Sequence, residues 1–209
     1  MPIVRAIEGV PLFVPLVDPF VLANARLDTV RNLAVRVVLS DGTEGWGEVG
    51  TLHPITEETW EQADAAVRGV GEWLPGRSLD LRALAHELHA AMPTFAATRA
   101  GIEQACWDAV AKAEGIPLHR RFGTSNAEVV TDVTVPICAP ARAAELGALW
   151  RSRGFATIKL KVGGELGADL ARMDAIWSTH PSAGLVLDAN EGWSVDEAMV
   201  AVAHARSRG

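Results

Sequence analysis

The sequence predicts an α+β domain followed by a parallel α/β domain. Three strand-like segments open the chain, helical periodicity runs through residues 57–115, and strand and helix patterns then alternate through the remaining residues. Repeated strand–helix alternation is typical of a parallel sheet covered by helices. The pattern changes near residues 123–127, so we expect one domain over residues 1–124 and a second over residues 125–209.

The first domain begins with three predicted strands. Residues 4–14 and 33–39 are apolar and extended, and residues 44–49 form the return strand after Asp41-Gly42, a dipeptide that favours hairpin turns. These segments predict a three-stranded meander.

A polar segment at residues 18–32 separates the first two strands. It is too long for a simple hairpin, so we predict a loop, and long loops in compact domains are often functional. Its cationic groups are Arg26 and Arg31. A functional role and solvated surface charges are both open interpretations of these arginines.

Residues 57–115 carry three helix patterns. In the first, apolar residues recur at helical spacing, namely Trp60, Ala63, Val67, Val70 and Leu74. Asp80 is a suitable N-cap for the second helix. The third helix spans residues 98–114, and Gly115 and Pro117 end it.

The second domain contains three predicted strands, at residues 129–137, 155–162 and 184–188, with helices after each. Ser194 and Glu197 have the spacing of a capping box that opens the last helix. Three strand–helix units cannot close a barrel, and a three-stranded parallel sheet leaves a bare edge. We therefore expect the chain to be the amino-terminal part of a longer protein.

Polar side chains end two of the predicted parallel strands. Lys159 and Lys161 lie two residues apart on one strand and project to the same face, and Asp188 and Asn190 have the same spacing on the next strand. Parallel α/β folds place their chemistry at the carboxyl ends of the strands. These four residues therefore predict a polar site at that edge.

The combination indicates metal-assisted proton abstraction. A carboxylate at a strand end can bind Mg²⁺, which prefers oxygen ligands, although one Asp does not complete a site. A lysine beside a second cation has a lowered pKa and can act as a general base, and nearby positive charge stabilises the enediolate that forms. The alternative is an exposed Lys-x-Lys pair without a catalytic role.

The composition disfavours several other classes of protein. The net charge of −7 argues against a nucleic-acid-binding surface, and no apolar run approaches transmembrane length. The expected partners therefore include neither nucleic acid nor membrane. Cys106 and Cys138 give no disulfide framework, so we expect a cytoplasmic protein. No glycine-rich phosphate-binding pattern follows a strand, which disfavours nucleotide binding.

Five motifs, in their order and spacing, resemble the enolase superfamily in its muconate-lactonising subgroup. They are Gly45-Trp46-Gly47-Glu48, Ala100-Gly101-Ile102-Glu103-Gln104-Ala105-Cys106-Trp107-Asp108, Gly115-Ile116-Pro117-Leu118, Lys159-Leu160-Lys161-Val162-Gly163 and Asp188-Ala189-Asn190-Glu191-Gly192-Trp193. The resemblance covers essentially the whole chain. It implies an α+β capping domain followed by the first three βα units of a modified TIM barrel, with Mg²⁺ bound to an enolised carboxylate.

The resemblance also implies roles for individual residues. Lys161 would be an acid/base catalyst on one face of the substrate carbon, and Lys159 would lower its pKa and help to neutralise the enolate. Asp188 would be the first Mg²⁺ ligand, and Asn190 a polar residue of the site. The other ligands and an opposing lysine would come from later strands, so we expect this chain to be inactive alone and the full-length protein to be a homo-oligomer.

Within the subgroup, residues 51–56 and 131–134 look like those of the dipeptide epimerases, which include L-Ala-D/L-Glu epimerase. Thr134 would then lie near the substrate, Arg26 could meet a substrate carboxylate, and Ile55 would line the site. The expected substrate is a small-molecule carboxylate of the dipeptide class. o-Succinylbenzoate synthase, N-acylamino acid racemase and cycloisomerase use the same lysines and metal and remain alternatives, as does a non-catalytic module.

Overall fold

The protein forms two compact units in the structure, a computed structural model. The structure describes residues 2–21, 23, 26–52, 56–123 and 128–208. The first unit comprises Met1–Pro15 with Val30–Ala127, and the second comprises Leu16–Thr29 with Glu128–Gly209. An α+β arrangement followed by a parallel α/β arrangement confirms the predicted fold class.

The first sheet has the strand order β1 (Val4–Val21), β2 (Arg26–Leu39) and β3 (Glu44–Val49). Strands β2 and β3 are antiparallel, with Leu33 opposite Val49. The Asp41 side chain accepts a hydrogen bond from the Thr43 N–H at 2.8 Å within the connecting turn. The predicted meander and its turn are therefore confirmed.

The loop predicted at residues 18–32 is wrong, because β1 continues to Val21 and β2 already begins at Arg26. Polar composition and length favoured the loop prediction, but both strands continue through this segment; β1 also contains Pro15 and Pro19, which are tolerated because β1 lies at the edge of its sheet. The outer ends of both strands, Leu16–Thr29, belong to the second unit. Arg26 therefore starts a strand instead of lying in a loop.

Four helices follow β3 in the first unit, namely α1 (Trp60–Trp73), α2 (Leu81–Ala91), α3 (Ala96–Ala113) and the short α4 (Leu118–Arg121). The apolar stripe predicted for α1 is confirmed, since Ala63, Val67 and Val70 are buried. Asp80 caps α2 as predicted, accepting from the Arg82 and Ala83 N–H groups at 3.0 Å. The α4 turn was not predicted.

Strand β3 and helix α3 pack backbone against backbone. A Cβ atom at Gly45 would lie 2.1 Å from the Ala105 carbonyl oxygen, and one at Gly47 would lie 2.1 Å from the Gly101 carbonyl oxygen. Any side chain at either glycine would push the helix off the sheet. The Gly-Trp-Gly-Glu motif is therefore a packing requirement of this unit.

The second unit alternates strands and helices as predicted. It contains β4 (Val133–Val135), α5 (Pro140–Ser152), β5 (Thr157–Lys161), α6 (Leu166–Thr179), β6 (Gly184–Asp188) and α7 (Val195–Arg206). The three strands are parallel in the order β4-β5-β6. The first is shorter than predicted because Val129 and Val130 are almost fully exposed. Ser194 and Glu197 form the predicted capping box of α7.

The core of the second unit lies between the helices and one face of the sheet. Ile158 and Leu160 of β5 are fully buried and belong to one cluster with Met173 and Ile176 of α6. Alternation along the strand therefore directs Lys159 and Lys161 to the opposite face. In the part of the chain that the structure describes, no helix has the length and apolar character of a membrane span.

Candidate functional site

Two lysines converge on one carboxylate oxygen at the carboxyl ends of β5 and β6. The Nζ atoms of Lys159 and Lys161 each lie 2.8 Å from Oδ2 of Asp188. Lys161 is paired directly with Asp188 in the β5–β6 register. Lys159 lies two residues before Lys161 and on the same face of β5. The parallel register therefore brings together the three ionisable residues that the sequence placed at the strand ends.

Asn190 joins this group from beyond the strand. Its Oδ1 accepts a hydrogen bond from Lys161 Nζ at 2.8 Å, and its N–H donates to Asp188 Oδ1 at 3.1 Å. The expected strand spacing of Asp188 and Asn190 is wrong, because β6 ends at Asp188 and Asn190 has a φ of +45°. Asn tolerates this left-handed conformation better than most residues.

The electrostatics of the group follow from an anion held by two cations. Hydrogen bonds from Lys159 and then from Lys161 hold the pKa of Asp188 well below its usual range. The hydrogen bond to Asp188 raises the pKa of Lys159. The Asp188 carboxylate therefore sets the direction of the Lys159 pKa shift. The Lys161 side chain is the more enclosed, with 9% exposed against 35% for Lys159.

Phe20 is a residue of the site that the sequence reasoning missed. Lys161 Nζ lies 5.9 Å from the centroid of the Phe20 ring, within the range of a cation–π contact. Phe20 belongs to the part of β1 that lies in the second unit. The sequence signal for Phe20 was an aromatic residue within the segment 18–32 that was predicted to be a polar loop.

The remaining predicted site residues have different placements. Thr134 pairs with Lys159 in the β4–β5 register, and its side chain is half-buried. Arg26 is exposed, and its guanidinium bonds to Asp28 at 3.0 Å. It lines a cavity of about 190 Å³ beside Ile137 at the end of β4. Ile55 lies outside the described residues.

The chemistry of the donor set fits one part of a Mg²⁺ site. Asp188 is ionised, and its carboxylate and the Asn190 Oδ1 are oxygen donors of the kind that Mg²⁺ prefers. Among the described residues there is no group of three or more His, Cys, Asp or Glu side chains that could hold a metal ion. The chain as described can therefore supply one carboxylate ligand of a larger set.

Comparison with known protein families defines the class. Residues 7–123 match the N-terminal domain of the mandelate racemase / muconate lactonizing enzyme family, and residues 141–207 match the enolase C-terminal domain-like family. The first match covers more than half of the chain. The chain therefore belongs to the mandelate racemase / muconate lactonizing enzyme family, which confirms the resemblance drawn from the five motifs.

Several similar relatives within this family are named epimerases. The chain is 42% identical over 199 residues to an L-Ala-D/L-amino acid epimerase of Populus trichocarpa, an alignment that covers 94% of this chain and 47% of the relative. It is 32% identical over 206 residues to the L-Ala-D/L-Glu epimerase of Bacillus subtilis strain 168, covering 97% of this chain and 56% of the relative. The chain thus spans about half the length of the curated relatives it matches.

Solved structures of similar fold include proteins that are also named epimerases. The substrate-liganded L-Ala-D/L-Glu epimerase from Bacillus subtilis matches with a TM-score of 0.90 and 30% identity, covering 100% of this chain and 58% of that one. The dipeptide epimerase from Enterococcus faecalis V583, complexed with Mg and the dipeptide L-Leu-L-Tyr, matches with a TM-score of 0.87 and 26% identity, covering 98% of this chain and 58% of that one. The fold is that of the dipeptide epimerases over the aligned part.

Proposed function

We propose that the full-length protein is a Mg²⁺-dependent epimerase that removes the α-proton of a dipeptide through an enolate, and that this chain carries one half of its site. The observation that carries the proposal is the convergence of Lys159 and Lys161 on Asp188 at the carboxyl ends of adjacent parallel strands. The relatives named dipeptide epimerases support this substrate class.

Lys161 is the proposed acid/base residue. Its Nζ donates to Asp188 and Asn190, so two acceptors fix the direction of the amine at the strand end. In its neutral form the amine accepts the α-proton of the substrate on Nζ. Limited exposure of Lys161 keeps water from competing for that proton.

Lys159 is the proposed partner cation. Its Nζ shares the Asp188 oxygen with Lys161. If Asp188 bound Mg²⁺, the two ammonium groups would repel each other. The charge of Lys159 helps to neutralise the enolate. A proton returned to the opposite face completes epimerisation, and the resemblance assigns that second acid to a later strand.

Asp188 is the proposed Mg²⁺ ligand, with Asn190 holding its free oxygen through the backbone N–H. When bound, Mg²⁺ supplies positive charge beside the substrate carboxylate and so lowers the energy of the enolate. Solved dipeptide epimerases of Enterococcus faecalis, Cytophaga hutchinsonii and Methylococcus capsulatus are complexed with Mg and a dipeptide, which supports this assignment.

The substrate contacts complete the proposal. Thr134 shares a strand face with Lys159, so we assign it to the substrate side of the site, and we keep Arg26 and Ile55 as contacts for the remainder of the dipeptide. We also propose that residues 1–124 form the capping domain and residues 125–209 the barrel part. A homo-oligomer in the cytoplasm remains our proposal for the full-length protein.

Deuterium exchange at the substrate α-carbon tests the proposed function. The full-length protein would be incubated with L-Ala-L-Glu and Mg²⁺ in D₂O, beside Lys161→Ala. Lys112→Ala is a matched control, because Lys112 is an exposed lysine paired with Asp108 in the first unit. We expect deuterium incorporation with epimerisation in the parent protein and in the control, and loss of epimerisation in Lys161→Ala, because inversion needs an acid/base residue on each face of the α-carbon.

The same protein and variants would also be assayed with the substrates of the alternative functions. Exchange on N-acyl amino acids in place of dipeptides would keep the lysine chemistry and move the function to a racemase. Turnover of an o-succinylbenzoate precursor or a muconate would identify a synthase or a cycloisomerase. No exchange with a panel of dipeptides and unchanged behaviour of Lys161→Ala would refute the proposal and favour a non-catalytic module.

A further inference from the structure

Asp169 is a fully buried carboxylate just behind the candidate site. It lies in the first turn of α6 and is 0% exposed. Its Oδ2 accepts hydrogen bonds from the Gly163 N–H at 2.9 Å and from the Trp193 Nε1–H at 2.8 Å, and its Oδ1 pairs with the Arg172 guanidinium. Both oxygens are therefore satisfied by groups that lie outside the proposed catalytic set.

These partners come from the loops that carry the site. Gly163 follows Lys161 by two residues in the β5–α6 loop, and Trp193 follows Asn190 by three residues in the β6–α7 loop. Arg172 extends the connection, because its guanidinium also donates to the Cys138 carbonyl oxygen in the β4–α5 loop at 3.5 Å. One carboxylate thus links the loops at the carboxyl ends of all three strands.

The linked loops also touch each other directly. A Cβ atom at Gly163 would lie 2.4 Å from the Ala189 carbonyl oxygen, and one at Gly192 would lie 2.4 Å from the Gly163 carbonyl oxygen. Asn190 and Glu191, between these contacts, both have positive φ values, of 45° and 66°. Such conformations persist only where surrounding contacts hold them.

Capping of α6 does not account for Asp169. The N-terminus of α6 is already capped by Glu165, whose carboxylate accepts from the Gly167 and Ala168 N–H groups at 2.9 and 2.8 Å. Asp169 Oδ2 points instead to the two loops. Its hydrogen bonds therefore serve the geometry of the loops more than the end of the helix.

We propose that Asp169 is a positioning residue that acts through Gly163 and Trp193 to keep Lys161 and Asp188 in register. This inference rests on the proposed function, because the register matters for turnover only if these two residues do the chemistry. Asp169 touches neither the lysines nor Asp188 and is not itself a catalytic residue. Arg172 neutralises its charge in the buried position.

Two variants separate positioning from folding. Asp169→Asn has one acceptor oxygen in place of two, so it cannot both accept the loop hydrogen bonds and pair with Arg172, and its NH2 group must face donors on one side. Trp193→Phe removes the indole N–H and part of the ring system while keeping an aromatic side chain. Ile176→Val is the control, because Ile176 is fully buried on the same helix without a hydrogen bond to the loops. Trp193→Phe keeps the test valid if Asp169→Asn does not fold.

Kinetics of the full-length protein give the first readout. We expect kcat for dipeptide epimerisation to fall by about 10–100-fold in Asp169→Asn and in Trp193→Phe, with KM changed by less than about threefold. Ile176→Val should lower the thermal midpoint while keeping kcat within about twofold. Equal loss of kcat in Ile176→Val and Trp193→Phe at equal loss of thermal stability would overturn the proposal, since a merely structural role predicts that result.

Nuclear magnetic resonance on the ¹⁵N-labelled full-length protein gives a readout that needs no activity. We expect slow hydrogen exchange at the Gly163 amide and Trp193 indole in the parent protein. In Asp169→Asn this protection should fall, because one amide oxygen cannot serve both the loops and Arg172, and the Lys161, Asp188 and Asn190 amides should shift. Unchanged shifts at these three amides would overturn the proposal even if the enzyme assay showed no turnover, so this failure is distinct from failure of the proposed function.

Discussion

Lys161 Nζ and Asp188 Oδ2 lie 2.8 Å apart across directly paired positions of two parallel strands. The same oxygen is 2.8 Å from the Nζ of Lys159, so one carboxylate balances two ammonium groups. Each of the three side chains is at least partly enclosed. Removal of the carboxylate therefore leaves like charges facing each other at the strand ends.

The substitution Asp188→Asn should destabilise the protein at pH 7. We expect the free energy of unfolding to fall by about 1–2 kcal/mol, because two partly buried lysines lose a charged partner and the site remains partly open to water. Urea unfolding of parent and variant measures this difference. Adding Lys159→Met to Asp188→Asn should restore part of the lost stability, and no recovery in the double variant would contradict the charge explanation.

The stabilising effect of Asp188 should depend on pH in a defined direction. Its pKa is lowered in the folded state, so the folded protein holds fewer protons than the unfolded chain once the pH falls below the unfolded value of about 4. The stability difference between parent and Asp188→Asn should be full above that pH and shrink steadily below it. A difference that grows on acidification would show that another group dominates.

Gly45→Ala should disrupt the packing of α3 on β3. The added Cβ would lie 2.1 Å from the Ala105 carbonyl oxygen and 2.3 Å from the Ala109 nitrogen, and neither backbone atom can move without the helix. We expect a loss of about 3 kcal/mol or more in the free energy of unfolding. Chemical denaturation followed by circular dichroism provides the measurement.

Gly69→Ala is the matched control for this prediction. Gly69 lies within α1, and nothing lies within 4 Å of the position of an added Cβ. Alanine should stabilise the helix by about 0.5–1 kcal/mol, because it restricts the unfolded chain more than glycine does. Similar effects of the two substitutions would show that the close approach at Gly45 is not the determining feature.

Glu58→Ala should destabilise the N-terminus of α3. The Glu58 carboxylate is 2% exposed and accepts from the Ala97 N–H at 2.6 Å and from the Thr98 N–H at 3.0 Å. Phe95, the N-cap residue, offers no side-chain cap. We expect a cost of about 1–3 kcal/mol in the free energy of unfolding. Substitution of the exposed Glu61 by Ala should change it by less than about 0.5 kcal/mol, and an equal loss would argue against capping.

The Cys106 thiol should resist deprotonation in the folded protein. Burial raises its pKa to about 12, whereas an unfolded thiol titrates near pH 8.5. Its contribution to stability is therefore complete below about pH 8.5 and is lost as the pH rises toward 12. Alkylation by iodoacetamide at pH 8 should be slow until the protein unfolds. In Cys106→Ala the decline of stability between pH 9 and about 11 should be shallower, and an unchanged slope would assign it to other groups.

Much of the secondary structure could be predicted because its causes are local. The bounds of β6 at Gly184–Asp188 follow from a short apolar run, and the capping box of Ser194 and Glu197 follows from a spacing of three residues. The outer ends of β1 and β2, within Leu16–Thr29, could not be predicted in this way. Proline within β1 is compatible with the sheet because β1 is an edge strand, and that position depends on the sheet as a whole.

For the site, the sequence by itself determined which ionisable residues stand at the strand ends. The period of two along β5 places Lys159 and Lys161 on one face, whatever surrounds the strand. Only the tertiary structure decided that both amines meet one oxygen of Asp188 and that Phe20 covers Lys161. Register between strands and the approach of distant segments depend on packing across the whole unit, because the residues that meet are separated by a helix or by more than a hundred positions in the chain.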